Sequence, residues 1–204
     1  MSNLIIFAFW AFCMSQTLCA QSLLPPPFGL QWGDQPDKIL DWAEAKKLDV
    51  VIKIPGNRPE IREIRVSAER GALPGHQAFA LEARYHWGNL FEVTVHYGAP
   101  GMKSKEIKSS FEKLKKAMAI KHGAFVPNNK QEKKGEGFIR NSVSYHVEPV
   151  SGLLLLLAYT ELEDLQRNKN SARFSLLYRN DNICLLYTSP SPRDQRGSRM
   201  PSSA

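Results

Sequence analysis

Two histidines and two carboxylates are the side chains in this sequence best suited to chemistry. Glu92 and His96 lie on one stretch of alternating apolar and polar residues, and His146 and Glu148 lie on another. Residues of one parity share one face of a strand, so each pair faces one side. If the two strands were neighbours, they would bring together two imidazoles and two carboxylates, a donor set that suits zinc. The spacing permits a metal site without requiring it, and solvent-facing polar residues are the simpler interpretation.

Motifs of the common catalytic sites do not occur in the sequence. It contains no Gly-x-Ser-x-Gly elbow, no Walker phosphate loop and no His-Glu-x-x-His pair. Ser144 beside His146 does not by itself indicate a catalytic triad, whose members need not be close in the chain. We therefore predict no catalytic residue and no cofactor, and we favour a non-enzymatic protein over an enzyme.

Three apolar residues are the remaining candidates for a ligand site. Trp32 and Trp42 could form an aromatic platform, although such residues usually pack in a core. Leu155 is the middle of five consecutive leucines, residues 153–157. A strand that is apolar on both faces must be covered on both, by a helix on one side and by a second layer, a partner or a ligand on the other. We predict internal burial of this run, with a protein contact or a groove for an apolar ligand as alternatives.

The clearest positioning element is a long β-hairpin over residues 77–97. Apolar and polar residues alternate in both arms, which is typical of strands that are buried on one face. A two-residue loop at residues 88–89 would place the two apolar rows on opposite faces of the hairpin. We therefore predict a three-residue loop at residues 86–88, which pairs Ala83 with Phe91 and brings the two rows together.

Two helices are indicated elsewhere in the chain. Asp34 is placed to cap the first helix, and Pro36 lies in its first turn. The second helix is predicted over residues 104–121, where apolar residues recur three and four positions apart, and Gly123 ends it. Each helix therefore has one apolar face that can pack on a sheet.

Further strands follow both predicted helices. Residues 61–67 carry Arg62, Glu63 and Arg65, which favours an edge strand. Residues 130–137 are rich in Lys, Glu and Gly, and we predict a charged, flexible loop there. The remaining predicted strands are residues 48–54, 138–147, 153–159 and 172–178.

The order of these elements predicts an α+β fold. A helix followed by antiparallel strands occurs twice, so we expect one or two antiparallel sheets with two packed helices, arranged as tandem helix-plus-meander units. This layout resembles, in topology only, a scaffold of small exported inhibitors and envelope-assembly proteins. The segment Phe28-Gly29-Leu30-Gln31-Trp32-Gly33 also resembles the FGL-x-WG opening of uncharacterised exported bacterial proteins. Neither resemblance implies a catalytic residue.

The amino-terminal segment is similar to a secretory signal peptide. Within residues 1–20, an apolar run at residues 4–14 precedes a polar segment and a small residue, Ala20. The run is too short to span a bilayer. We therefore predict an exported protein, in the periplasm or outside the cell, without a transmembrane span in its mature form. Residues 21–27 contain three consecutive prolines and are predicted to be a linker.

The carboxy-terminal segment, residues 184–204, resembles no protein domain. Residues 184–194 resemble the translation of a transposase-type sequencing-library adapter, and residues 199–204 resemble the flow-cell end of that adapter. We therefore expect this segment to be an adapter-derived, disordered artefact. The folded part is predicted to be a single α+β domain over residues 28–183, with its native end at or beyond this point.

Cysteine content and charge narrow the class of protein. Cys13, Cys19 and Cys184 all lie in the two end segments, so the predicted domain must be held by core burial rather than by disulfides. The formal net charge is +7, of which the tail supplies three arginines against one aspartate, and about +5 remains elsewhere. This charge is not concentrated with aromatic residues on one face, so we predict no nucleic-acid partner.

Together these features predict an exported envelope protein that binds another protein or a surface component. The exposed sheet face and an uncovered part of the leucine strand are the predicted contact regions. The alternative prediction is a carrier or sensor of an apolar small molecule.

Overall fold

The part of the chain that the structure describes folds into one eight-stranded antiparallel sheet with two long helices on one of its faces. A computed structural model describes residues 24–68, 71–99 and 101–183. In chain order the elements are α1 (Pro36–Ala45), β1 (Asp49–Lys53), β2 (Ile61–Ser67), β3 (Ala80–His86), β4 (Asn89–Tyr97), α2 (Ser104–His122), β5 (Val126–Gly135), β6 (Phe138–Val150), β7 (Leu153–Asp164) and β8 (Lys169–Asn180). The predicted α+β class is therefore confirmed.

Each helix is followed by a four-stranded meander, and the two meanders meet along their last strands. The strand order is β1-β2-β3-β4-β8-β7-β6-β5. β4 and β8 pair antiparallel, with Val95 opposite Leu176. This is the tandem helix-plus-meander arrangement that the order of elements predicted.

Both helices bury their apolar faces on the same side of the sheet. Ile39 and Ala43 of α1 lie in one apolar cluster, here called the α1 cluster, with Leu81 and Val93 of the sheet. Ile107 and Phe111 of α2 pack with residues of β7 and β8 in a second apolar cluster, here called the α2 cluster. Burying a side chain of this size contributes about 1.5–3 kcal/mol, so packing on the sheet stabilises helices that have no side-chain caps.

The predicted role of Asp34 as a helix cap is wrong. Gln35 occupies the N-cap position of α1 and its side chain makes no capping hydrogen bond, while Pro36 lies in the first turn as predicted. The Asp34 carboxylate instead accepts a hydrogen bond from the Gln31 backbone N–H at 2.6 Å and pairs with Lys38 at 2.8 Å. The N-cap of α1 is therefore one residue later in the chain than the predicted one, Asp34.

The predicted loop of the β3–β4 hairpin is also wrong. The loop contains only Trp87 and Gly88, with φ of 50° and 81°, the positive values that a tight two-residue hairpin turn requires. The apolar rows still coincide because a β-bulge leaves Phe91 without a partner on β3, so that Ala83 pairs with Val93. The bulge within β4 therefore brings the apolar rows of the two strands onto the same face, which the longer loop was predicted to do.

Two predictions about the sheet edges fail. β2 was predicted to be an edge strand, but it lies between β1 and β3 and buries Ile61, Ile64 and Val66. Residues 130–137 were predicted to be a loop, but most of them belong to the edge strand β5, which is exposed along its whole length. Charged side chains keep an edge strand soluble, so its composition looked like that of a loop.

The predicted linker is partly core. Leu24 is fully buried in the α2 cluster, and its carbonyl accepts a hydrogen bond from Trp32 Nε1 at 2.8 Å. The predicted signal peptide and adapter-derived tail, residues 1–20 and 184–204, lie outside the described residues. Within the described residues, no helix combines the length and apolar character needed to cross a membrane.

Candidate binding surface on the open face

The face of the sheet opposite the helices, here called the open face, is the candidate functional site. Side chains that alternate with those packed under α1 and α2 lie on it. Strand registers place the following residues on this face: Glu63, Arg65, Glu82, Arg84, Glu92, Thr94, His96, Arg140, His146, Leu154, Leu156, Thr160, Arg173, Leu177 and Arg179.

A small leucine patch lies near the middle of the open face. Leu156 of β7 pairs with Leu177 of β8, and Leu154 is the next residue of β7 on the same face. All three are half-buried. Leu155, between two of them in the chain, is fully buried beneath α2. The leucine run therefore divides between a closed core and a partly exposed patch.

One ion-pair network on the open face centres on Glu82. Its carboxylate contacts the Arg65 guanidinium and lies 3.1 Å from His96 Nε2. The close approach of His96 is the main cause that lowers the pKa of Glu82 to about 2, Arg65 adds to it, and burial acts in the opposite direction. Glu82 is therefore ionised near neutral pH and holds two side chains in place.

A second network joins three neighbouring strands through Arg84. Its guanidinium lies 3.6 Å from Glu63 on β2 and 3.1 Å from Glu92 on β4. The Glu92 side chain is only 7% exposed, so this pair is screened less by solvent than a surface pair. These contacts fix the side chains of β2, β3 and β4 in one layer.

Two arginines of the open face form no ion pair with any other described residue. Arg173 and Arg140 are exposed. Both line a cleft of about 380 Å³ that also contains Thr160 and Leu162. Arg173 additionally lines a cleft of about 380 Å³ next to Glu82 and His96. The positive charge of these two residues is available to an incoming group.

The residues predicted for a metal site are not brought together. Glu92 and His96 share the open face of β4, but β8 and β7 separate this strand from β6, which carries His146 and Glu148. Three strand spacings amount to about 14 Å. The Glu148 carboxylate accepts a hydrogen bond from the Gly152 backbone N–H at 2.7 Å. No group of three metal-ligating side chains is found in the part of the chain that the structure describes. The assumption that the two strands are neighbours is wrong.

The other predicted candidates are packing residues. Trp32 is 8% exposed and belongs to the α1 cluster. Trp42 packs against Phe28, with ring centroids 5.4 Å apart. Leu155 is completely buried. None of the three presents an open platform to a ligand.

Sequence reasoning missed the open-face arginines and the even-numbered leucines as a joint surface. Their signal was the shared parity of Glu82 and Arg84 on β3 and of Leu154 and Leu156 on β7. The pairing of β4 with β8, which joins the two groups, is a long-range contact that local alternation does not specify. No protein-family model, curated protein or solved structure matches the chain.

Proposed function

We propose that this chain is a non-enzymatic binding module that receives a protein partner on the open face. We also propose that it acts as an exported protein of the bacterial envelope, because its first residues have the pattern of a secretory signal. The observation that carries the binding proposal is the half-buried patch of Leu154, Leu156 and Leu177 on the face opposite α1 and α2, where the described part of the chain places neither helix.

The composition of the open face is that of an interface. Protein interfaces combine an apolar centre with a polar rim, and arginine is enriched among the residues that contribute most to affinity. Eight strands spaced about 4.8 Å apart span about 34 Å, which suits an interface of about 800 Å² per partner. The networks around Glu82 and Arg84 already hold their side chains, so less conformational entropy is lost on binding.

The unpaired charges indicate the chemistry of the partner. An aliphatic side chain would cover the leucine patch, and carboxylates would pair with Arg173 and Arg140. The partner surface is therefore expected to be apolar at its centre and acidic on the side that faces β8 and β6.

A carrier for an apolar small molecule is less well supported. The inner leucines of β7, Leu153, Leu155 and Leu157, are at most 3% exposed and are covered by α2 and its neighbours. A larger groove, of about 490 Å³, lies away from the leucine run, between α1 and the strands β1 and β2. The burial of β7 therefore supports a protein partner on the open face rather than a small ligand held between β7 and α2.

Site-specific photo-cross-linking in bacterial cells that export the chain tests the proposal. A photoreactive amino acid at Leu156 is expected to form a protein adduct, and Arg173→Glu should reduce its yield several-fold by reversing the charge facing the partner. The matched control is Leu165, an exposed leucine in the turn after β7, which should give no such adduct. Equal adducts at both positions, or a lipid adduct alone at Leu156, would contradict a protein partner on the open face.

A further inference from the structure

The two edges of the sheet are built differently. β5 is a guarded edge, with Pro127, a register irregularity beside it, and the lysines 130, 133 and 134. β1 and the residue after it carry four exposed β-branched apolar side chains: Val50 at 38%, Val51 at 46%, Ile52 at 56% and Ile54 at 58%. Proteins usually protect an edge strand because its free N–H and C=O groups can pair with another chain. β1 has no such protection on its apolar positions.

We propose that β1 pairs antiparallel with β1 of a second copy and joins the two sheets into one. Residues 48–54 read Leu-Asp-Val-Val-Ile-Lys-Ile. Around Val51 this segment is self-complementary. An antiparallel pair centred there places Asp49 opposite Lys53 and Val50 opposite Ile52. A second copy of the chain therefore complements the edge at every position of β1.

The charges select this register over its neighbours. Neither Asp49 nor Lys53 forms an ion pair with another described residue. Moving the centre to Val50 would place Lys47 opposite Lys53. Moving it to Ile52 would place Asp49 opposite Pro55, which has no N–H to donate. Like charges directly opposite are destabilising, so the register centred on Val51 is the favoured one.

The faces of the two sheets also match in this register. Val50 and Ile52 pair with β2 residues that lie beneath α1, whereas Val51 lies on the open-face side. Antiparallel partners share a face, so the two-fold axis passes midway between the two Val51 residues and runs perpendicular to the sheet. All the helices then lie on one side and both open faces on the other. The second edge of each copy is β5, whose guarded surface limits assembly to a dimer.

Sedimentation equilibrium of the full chain tests the pairing. The short ladder is expected to give a reversible dimer with a dissociation constant on the order of micromolar. Val51→Lys places two lysines opposite each other on the axis and should weaken the dimer roughly tenfold or more. The matched control, Val126→Lys, alters an exposed valine on β5 and should leave dimerisation unchanged. Circular dichroism checks that both variants fold.

A charge exchange gives a second, independent measurement. Asp49→Lys and Lys53→Asp each create two like-charged pairs and should weaken the dimer roughly tenfold. The double variant restores opposite charges at both positions, so it should recover most of the affinity. A wild-type chain that stays monomeric up to about 1 mM, which corresponds to only about 4 kcal/mol of binding, would overturn the proposal. So would assemblies larger than two copies, or a double variant no better than either single one.

Discussion

Residues 153–157 supply both faces of the sheet, so the two faces can be compared within one strand. Leu155 lies beneath α2 and is completely buried, whereas Leu156 lies on the open face and is half-buried beside Leu177. On the helix side almost every neighbour is apolar. On the open face leucines lie opposite an arginine, a threonine and a histidine. The same residue type therefore stabilises the fold on one face and is available for contact on the other.

The energetics of the two faces differ in the same way. Full burial of a leucine side chain contributes about 1.5–3 kcal/mol, while an exposed ion pair contributes about 1 kcal/mol or less. Stability should thus depend mainly on the helix side, and the open face can change more freely. Three predictions test this difference, from the largest expected effect to the smallest.

Leu155→Asp should prevent folding or destabilise the domain by about 4 kcal/mol or more. The new carboxylate would lie in a completely buried position among Leu153, Leu157 and the aromatic residues under α2. Urea denaturation followed by circular dichroism measures the change. Leu155→Met conserves volume and should cost less than about 1.5 kcal/mol. A fully folded Leu155→Asp chain would show that this position is not in the core.

The element order was predictable because each helix and most strands carry their own local pattern. The hairpin shows where local patterns fail. The alternation of apolar residues required one extra residue in the hairpin but did not specify its position, and the structure places it as a bulge at Phe91 rather than in a longer loop. The edge β5 was missed because its solvent-facing lysines resemble a loop. Whether a strand is central or at an edge depends on pairing between distant segments, which composition does not encode.

The candidate site was less predictable than the fold. His96 was identified as polar and outward-facing, but its partner was expected on another strand pair rather than at Glu82 on β3. The metal hypothesis failed because the sheet joins through β4 and β8, which leaves His146 two strands away from β8. Charged residues of one parity indicated an exposed face, and only the register showed which charges are paired.

Acid should weaken the open-face network around Glu82 before it affects the helix side. The folded-state pKa of Glu82 is lowered to about 2 from 4.5, so its stabilising contribution is present above the unfolded value and lost as pH falls from about 4.5 to about 2. Glu82→Gln should flatten this part of the pH dependence of unfolding.

Glu132→Gln provides the control for that measurement. Glu132 lies on the exposed edge β5, where its side chain is 54% exposed and pairs with Lys134. Its replacement should leave the acid dependence almost unchanged because solvent screens this pair. If both variants lose the same slope, the network around Glu82 does not contribute more than an ordinary surface pair.

Leu156→Asp should have the smallest effect on stability, about 1 kcal/mol or less. The side chain is half-buried on the open face, and His146 lies directly opposite on β6, so the new carboxylate stays in contact with water and lies beside a polar side chain. Urea denaturation of this variant against Leu155→Asp compares the two faces at adjacent residues. Equal destabilisation would mean that Leu156 is as dry as Leu155, and the open face would then be a covered layer rather than a surface for a partner. The cross-linking test can be repeated in the Leu156→Asp variant with the photoreactive residue at Leu177. A small loss of stability together with loss of the protein adduct would show that Leu156 contributes to partner contact rather than to folding.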